Sequence, residues 1–412
     1  MKAEIINIGD ELLIGQVINT NASWMASELN ALGVEVVHIA IIADDAGAIK
    51  KALDDASKRA DIVLMTGGLG PTKDDITKKT LAEYFNSKLV FHEPTFEQVK
   101  EIFKARNFEV TDVNKQQALI PDKCTPLFNK NGTAPGMWFE EGDKVFVSMP
   151  GVPFEMKPMM LEQVLPKLRE KYHFGVILHK TVMTTGLPES FLAEKIKSWE
   201  ENLPENIKLA YLPQPGIVRL RLTAKGDNEN ELQQQINSEV EKLKAIIGDI
   251  IFGYDDITLE AVVGQLLKEK QKTLSTAESC TGGYIAHLIT SIAGSSEYFE
   301  GSVVSYSNNV KMNVLHVPER ALTEHGAVSR EVVEAMALGA KELIKTDYAV
   351  ATSGIAGPTG GTDEKPVGTT WIAVATPDKT VSKLFHFGEH RGRNIRRAAL
   401  AALEMLRQEL IK

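Results

Sequence analysis

Short β-branched runs alternate with amphipathic stretches through the first third of the chain. Glu4-Ile-Ile-Asn-Ile8, Glu35-Val-Val-His-Ile-Ala-Ile-Ile42 and Asp61-Ile-Val-Leu-Met65 read as strands, while apolar positions at helical spacing fall near 20–32 and 46–58. Strand and helix alternation of this kind predicts a parallel sheet covered on both faces, extending to about residue 171. Residues 172–255 change rhythm. A strand over 176–185, a helix over 189–199, two strands flanking Pro213-Gln-Pro-Gly216 and a helix over 228–247 predict a compact βαββα unit. From 256 the α/β alternation returns, with strands at 273–276, 301–306, 347–353, 367–376 and 380–387 and a long helix over 391–410. The predicted fold class is therefore α/β: two doubly wound, three-layer α/β domains, 1–171 and 256–412, joined by a small α+β middle domain, 172–255. The middle unit carries no evident chemistry, which leaves it a spacer or dimerisation role. A homodimer is expected, because closed two-fold assembly is the commonest case.

A chain of 412 residues is too long for one ordinary core, in line with several domains. The net charge of -9 implies no broad basic face, so direct nucleic-acid binding is not expected. The two cysteines, Cys124 and Cys280, fit neither a metal spacing nor a disulfide framework, which suits a reducing cytoplasm. Asp10 and Glu11 interrupt the first apolar run, and no membrane span is expected.

Ligands of doubly wound sheets collect at the carboxyl ends of strands. Three loops fall there in the first domain: Gly9-Asp10-Glu11, Asp44-Asp45, and Thr66 to Asp75. Gly67, Gly68 and Gly70 remove side chains where a phosphate can approach the main chain, and the loop leads into a helix whose first amides favour anions. Asp74 and Asp75 at that helix start repel a phosphate unless a cation intervenes. With Asp10, Glu11 and Asp44 they suggest a divalent metal carrying a diphosphate; helix caps and a plain turn are the structural alternative. Two further glycine loops, 131–137 and 149–155, stand in strand-to-helix contexts of the same kind.

The second large domain offers different chemistry. Thr276-Ala-Glu-Ser-Cys-Thr-Gly-Gly283 puts Ser279 on a sharp turn between an apolar strand and a helix, with Thr281, Gly282 and Gly283 where backbone amides can hold charge developing on a substrate oxygen. Tyr306 and Lys311 follow another apolar strand and offer a phenol and an amine, either able to take or stabilise a proton. A Ser, Tyr and Lys set suits amide hydrolysis; the alternative is an N-cap, a strand-end aromatic and a solvated lysine. For Lys311 to act as a base, burial or a nearby cation must lower its pKa from about 10.4. His287 and the methionines Met156, Met159 and Met160 read as packed side chains.

The motifs carry a resemblance. Gly67-Gly-Leu-Gly-Pro-Thr-Lys-Asp-Asp75 and Met149-Pro-Gly-Val-Pro153 resemble the molybdopterin-binding domain family, and with Gly9-Asp-Glu-Leu-Leu-Ile-Gly15 they resemble the amino-terminal domain of the CinA, or competence/damage-inducible, family. That resemblance implies metal-dependent hydrolysis of ADP-ribose, with a divalent metal (Mg, Mn or Co) and potassium, Asp75 as catalytic acid and Asp10, Asp44 and Asp75 as the metal carboxylates. Leu69 stands where the molybdenum-cofactor enzymes carry threonine, which weakens an adenylyltransferase reading. Ala277-Glu-Ser-Cys-Thr-Gly-Gly283, Val304-Ser-Tyr-Ser-Asn308 with Lys311, Ser353-Gly-Ile-Ala-Gly-Pro-Thr-Gly-Gly361 and Lys365-Pro-Val-Gly-Thr-Thr-Trp371 are similar to the nicotinamide-nucleotide amidase family. This implies conversion of nicotinamide mononucleotide to nicotinate mononucleotide and ammonia, without a cofactor, by a Ser279 nucleophile assisted by Lys311 and Tyr306. The loop Gly354-Ile-Ala356-Gly357 is placed to receive the ribose phosphate, Thr369 and Thr370 add hydroxyl donors, and Arg393 is a phosphate candidate. Two other functions remain open at this level: a molybdopterin- or nucleotide-binding amino-terminal half, and, as the family's naming suggests, a competence-related interaction protein that recruits recombination factors during transformation.

Overall fold

The β-branched runs of the first third form the centre of a six-stranded sheet in this computed structural model, which describes residues 1–72, 75–105 and 108–412. Strand β1 (Lys2–Ile8) lies between β2 (Glu35–Ile42) and β3 (Ile62–Thr66), parallel to both. Every residue of β3 is buried, as a strand covered on two faces requires. The short strands β4 (Leu89–Phe91) and β5 (Leu119–Pro121) make a separate antiparallel pair. Strands β6 (Thr125–Leu127), β7 (Gly136–Glu141) and β8 (Lys144–Met149) complete the large sheet in the order β2-β1-β3-β8-β7-β6. The expected purely parallel sheet is thus corrected: β8 runs parallel to β3, but β7 and β6 are antiparallel additions at the edge. The chain reverses between β7 and β8 at Gly142, whose φ of 59° is easy for glycine. Met25 and Leu29 of the helix Thr20–Ala31, with Met156, Met159 and Met160, fill one face. Ile49 and Leu53 of the helix Ala46–Arg59 fill the other.

By its contacts the chain separates into two compact units, Met1–Leu178 with Lys225–Leu232, and His179–Ala224 with Gln233–Lys412. The middle residues form a four-stranded antiparallel sheet of β9 (Val176–Thr185), β10 (Ile207–Gln214), β11 (Ile217–Gly226) and β12 (Ile251–Tyr254), ordered β10-β11-β9-β12. The fourth strand is a departure from the βαββα expectation; it is only four residues long and pairs with β9.

The last sheet has the order β14-β13-β15-β16-β17, from β13 (Leu274–Glu278), β14 (Phe299–Val304), β15 (Tyr348–Gly354), β16 (Thr369–Ala375) and β17 (Thr380–His386). Its first three strands are parallel and β16 and β17 are antiparallel. Helices Leu259–Glu269, Tyr284–Thr290 and Arg391–Leu410 pack one face through Leu259, Ile285 and Leu403, each of which contributes roughly 1.5–3 kcal/mol by burial. Helix Arg330–Ile344 covers the other through Val333, Met336 and Ala340. The carboxyl ends of β13, β14 and β15 therefore open side by side. Among the described residues no helix is long and apolar enough to cross a membrane.

Candidate active site

Ser279 follows the fully buried strand β13 and is fixed by its own amide, which donates to the Thr352 carbonyl of β15 at 3.0 Å. The chain then turns through Gly282 (φ 62°) and Gly283 (φ 95°), left-handed conformations that glycine adopts at little cost, and enters the helix Tyr284–Thr290. Lys311 arrives from the helix Asn308–Leu315, which starts at a Ser307 cap accepting the Val310 amide. Its Nζ lies 3.1 Å from Ser279 Oγ and donates to the Ser305 carbonyl at 2.8 Å and, more weakly, to the Tyr306 carbonyl at 3.4 Å. Lys311 is 1% exposed and Ser279 9%. No carboxylate pairs with this amine among the described residues, and burial lowers its pKa below the usual value near 10.5. Burial also pushes the neighbouring Cys280 thiol up to about 12, so the sulfur stays protonated while the hydroxyl beside it faces an amine.

Other expected members of the site sit differently. Tyr306 is 65% exposed and meets Lys311 through its carbonyl; its hydroxyl makes no hydrogen bond to the pair among the described residues. The helix amides expected to be free for a substrate are already used. Fully buried Glu278 accepts from the amides of Gly283 and Ile285 at 3.0 Å each and of Ala286 at 2.8 Å. A carboxylate is the natural occupant of a buried helix start, where it meets positive dipole ends. The Gly282 amide turns back to the Ser279 carbonyl, so the Cys280 and Thr281 amides are the ones left without a carbonyl or carboxylate partner among the described residues. Thr281 bonds Thr352 through its hydroxyl at 2.7 Å. His287 is exposed rather than packed, because Ile285 and Ile289 form the apolar stripe of its helix.

The Gly354–Gly357 loop leaves β15 two residues after the carbonyl that holds Ser279. A side chain at Gly354 meets Thr370 Oγ1 at 2.6 Å, so only glycine lets β16 approach. Thr369 and Thr370 are buried beside it, and Thr369 Oγ1 has no hydrogen-bond partner among the described residues. Arg393 is exposed; the side chains that reach the loop from the last helix are Arg391, whose Nη1 donates to the Gly357 carbonyl at 2.9 Å, and Asn394, whose Nδ2 donates to Ala356 at 3.0 Å. Sequence reading missed both, although an asparagine on the apolar face of a helix, as Asn394 is, signals a polar contact to be met.

In the first unit a cavity of about 620 Å³ gathers Gly9, Asp44, Gly67, Gly68, Gly70, Asp75 and the 149–155 loop. Gly67 (φ 111°) and Gly68 (φ 62°) occupy left-handed conformations, and a side chain at Gly68 collides with Thr77. The Asp75 carboxylate accepts from the Thr72 amide at 3.0 Å and from the Thr72 hydroxyl. Asp44 has a raised pKa, through burial first and then the charges of Asp10, Glu11 and Asp75, while the Asp10 amide donates to it. Asp10 itself is exposed, and Glu11 rather than Asp10 lines the cavity. Asp74 lies outside the described residues. Asn21, unforeseen from sequence, lines the cavity, donating to the Gly151 carbonyl at 2.7 Å while its buried Oδ1 has no partner among the described residues. Among the described residues no three His, Cys, Asp or Glu side chains form a metal-holding group by themselves.

A buried serine–lysine pair thus stands at the carboxyl end of a parallel strand of an α/β sheet. Family models agree on the kinship of all three segments: the probable molybdopterin binding domain matches residues 4–170, the damage-inducible protein CinA KH domain 179–253 and the CinA C-terminal domain 256–410. A CinA-like protein of Flavobacterium psychrophilum is 50% identical over 100% of this chain and 99% of its own. A putative competence-damage inducible protein of Clostridium beijerinckii is 42% identical over 100% of both. The chain belongs to the CinA family. A solved structure, the competence/damage inducible protein CihA from Agrobacterium tumefaciens, is 38% identical, covers 37% of this chain and 94% of its own, and aligns with a TM-score of 0.37.

Proposed function

We propose that the Ser279 site hydrolyses the carboxamide of nicotinamide mononucleotide, releasing ammonia and nicotinate mononucleotide. The observation that carries this is the buried Lys311 amine 3.1 Å from the Ser279 hydroxyl, with no carboxylate to hold its proton among the described residues. As the neutral amine, Lys311 takes the Ser279 proton while Oγ forms a bond to the carboxamide carbon. The oxyanion faces the Cys280 and Thr281 amides. The C–N bond then breaks, the Lys311 ammonium returns its proton to the departing nitrogen, and ammonia leaves an ester on Ser279. Water deprotonated by Lys311 attacks that ester, the C–Oγ bond breaks as the Lys311 ammonium returns its proton to Ser279 Oγ, and the nicotinate product departs as its carboxylate. The Gly354–Gly357 loop and Thr369 serve the sugar phosphate, with Arg391 bracing the loop. Tyr306 serves as an exposed rim residue.

For the first unit we infer a diphosphate hydrolase of the ADP-ribose type. The cavity's orphaned Asn21 oxygen and its mutually repelling carboxylates suit a ligand bearing a divalent cation. Asp44 and Asp75 would hold that cation together with the ligand's own phosphates, since magnesium is commonly bound by one or two carboxylates plus substrate oxygens. Such a cation supplies charge neutralisation and polarisation of the phosphoryl group. Gly67, Gly68 and Gly70 let the phosphates reach the main chain, and Thr72 orients Asp75. A pterin-phosphate ligand is the second reading, favoured by the molybdopterin-binding family match. Incubation of the full chain with nicotinamide mononucleotide, ADP-ribose and molybdopterin, with and without magnesium, followed by product masses, tests these readings. Loss of one ammonia from the mononucleotide without metal, and AMP from ADP-ribose with metal, is expected. An unchanged mononucleotide rejects the first assignment, and pterin retained with ADP-ribose intact rejects the second.

A further inference from the structure

We infer a second ligand site in the unit that contains Ser279, one that takes a mononucleotide-sized organic anion. A cavity of about 310 Å³ lies where strands β9 and β11 meet the helices Tyr284–Thr290 and Arg391–Leu410. Arg219 of β11 lines it, and the Arg219 Nε is buried without a hydrogen-bond partner among the described residues. A buried guanidinium N–H without an acceptor is costly, and a phosphate or carboxylate oxygen is the acceptor it matches best. Arg396, an exposed residue of the last helix, lines the same cavity. Two arginines on the walls of one hollow offer an anion charge-assisted partners, offset in part by Asp256 and Glu260 on the same walls.

The remaining walls describe the rest of the ligand. Met183, Leu288 and Leu400 offer an apolar surface, and Tyr284 adds an aromatic one, which suits a flat ring. Asp256 and Glu260 line the cavity as well and can accept from hydroxyl or amino groups, whereas Asp255 is committed to Lys180 at 2.7 Å. An anionic head, a flat apolar body and hydrogen-bond donors together describe a nucleoside monophosphate. Neither Ser279 nor Lys311 lines this cavity, so its occupant is not the substrate of the serine site. Tyr284 and Leu288 belong to the helix that Glu278 anchors, so an occupied cavity braces that helix against β9 and β11.

Calorimetric titration of the full chain with AMP, and separately with inorganic phosphate, tests the assignment. Arg219→Gln and Leu400→Trp are each expected to weaken one AMP-binding component at least about tenfold, with Arg396→Gln, an exposed substitution that leaves the fold intact, doing the same. The Arg219, Arg396 and Leu400 variants leave ammonia release from nicotinamide mononucleotide and AMP release from ADP-ribose in place, which separates this component from the two sites described above. Inorganic phosphate, filling only the arginine end, binds more weakly than AMP. No AMP binding by the wild type, or the same isotherm in Arg396→Gln and Leu400→Trp, overturns the site. Phosphate binding as tight as AMP overturns the apolar half of the assignment.

Discussion

At the scale of single residues, Lys311 decides what the serine can do. An ammonium buried beside Ser279 is a poor base, and the absence of a carboxylate partner among the described residues, together with burial, moves the equilibrium toward the free amine. Because its folded pKa lies below the usual value near 10.5, the unfolded chain binds a proton that the folded chain sheds between those two values. Stability attributable to Lys311 therefore rises with pH through that window and carries its full penalty below it. Thermal melts of wild type and Lys311→Met from pH 7 to 10 check the sign: the wild type gains on the variant as pH rises. Ammonia release by Lys311→Met falls at least about 10³-fold, as expected when one member of a nucleophile–base pair is removed. A wild-type rate that rises with pH and then levels off below 10.5 accompanies these results.

At the scale of elements, the strand–turn–helix over 274–290 depends on Glu278 as much as on its glycines. Three backbone amides converge on one buried carboxylate, which fixes the helix start and with it the position of the Ser279 hydroxyl. Glu278→Ala is expected to lower stability by roughly 2–4 kcal/mol in urea titrations, since it leaves one buried and two part-buried amides without their acceptor. Glu278→Gln retains one acceptor oxygen and recovers part of that loss. This element also marks where the sequence could be read and where it could not. The apolar run of β13, the paired glycines and the apolar spacing of the helix made the turn legible, and Lys311 stood out as an amine after a strand. Nothing in the local pattern told that Glu278 would occupy the helix amides, because that requires knowing that the side chain folds inward beneath the turn. Tyr306 was placed with the pair by proximity in sequence, yet the chain between Ser305 and the Ser307 cap turns its ring outward. Arg391 and Asn394 escaped notice for a similar reason: their partners, Gly357 and Ala356, lie more than thirty residues earlier in the chain.

At the scale of the molecule, strands, helices and the α/β class followed from hydrophobic rhythm, while sheet order did not. The antiparallel edges β6–β7 and β16–β17 arise from hairpin reversals, and strand periodicity is the same in parallel and antiparallel pairs. The two candidate sites lie in two compact units, so the two proposed activities are expected to be separable. Asp75→Asn is expected to remove metal-dependent cleavage of ADP-ribose and spare ammonia release, and Ser279→Ala the reverse, each followed by product mass. The raised pKa of Asp44 adds a metal test with a defined sign. A carboxyl raised above its unfolded value loses stability as pH rises through that window, and a bound cation offsets the loss. Millimolar magnesium at neutral pH should raise the first unit's melting midpoint in wild type and do so less in Asp44→Asn.

The most direct measurement is ammonia released from nicotinamide mononucleotide by the wild-type chain and by Ser279→Ala, with circular dichroism confirming that both are folded. The serine–lysine account predicts steady release by the wild type without added metal and none above background from the variant. Equal release by the two proteins contradicts it.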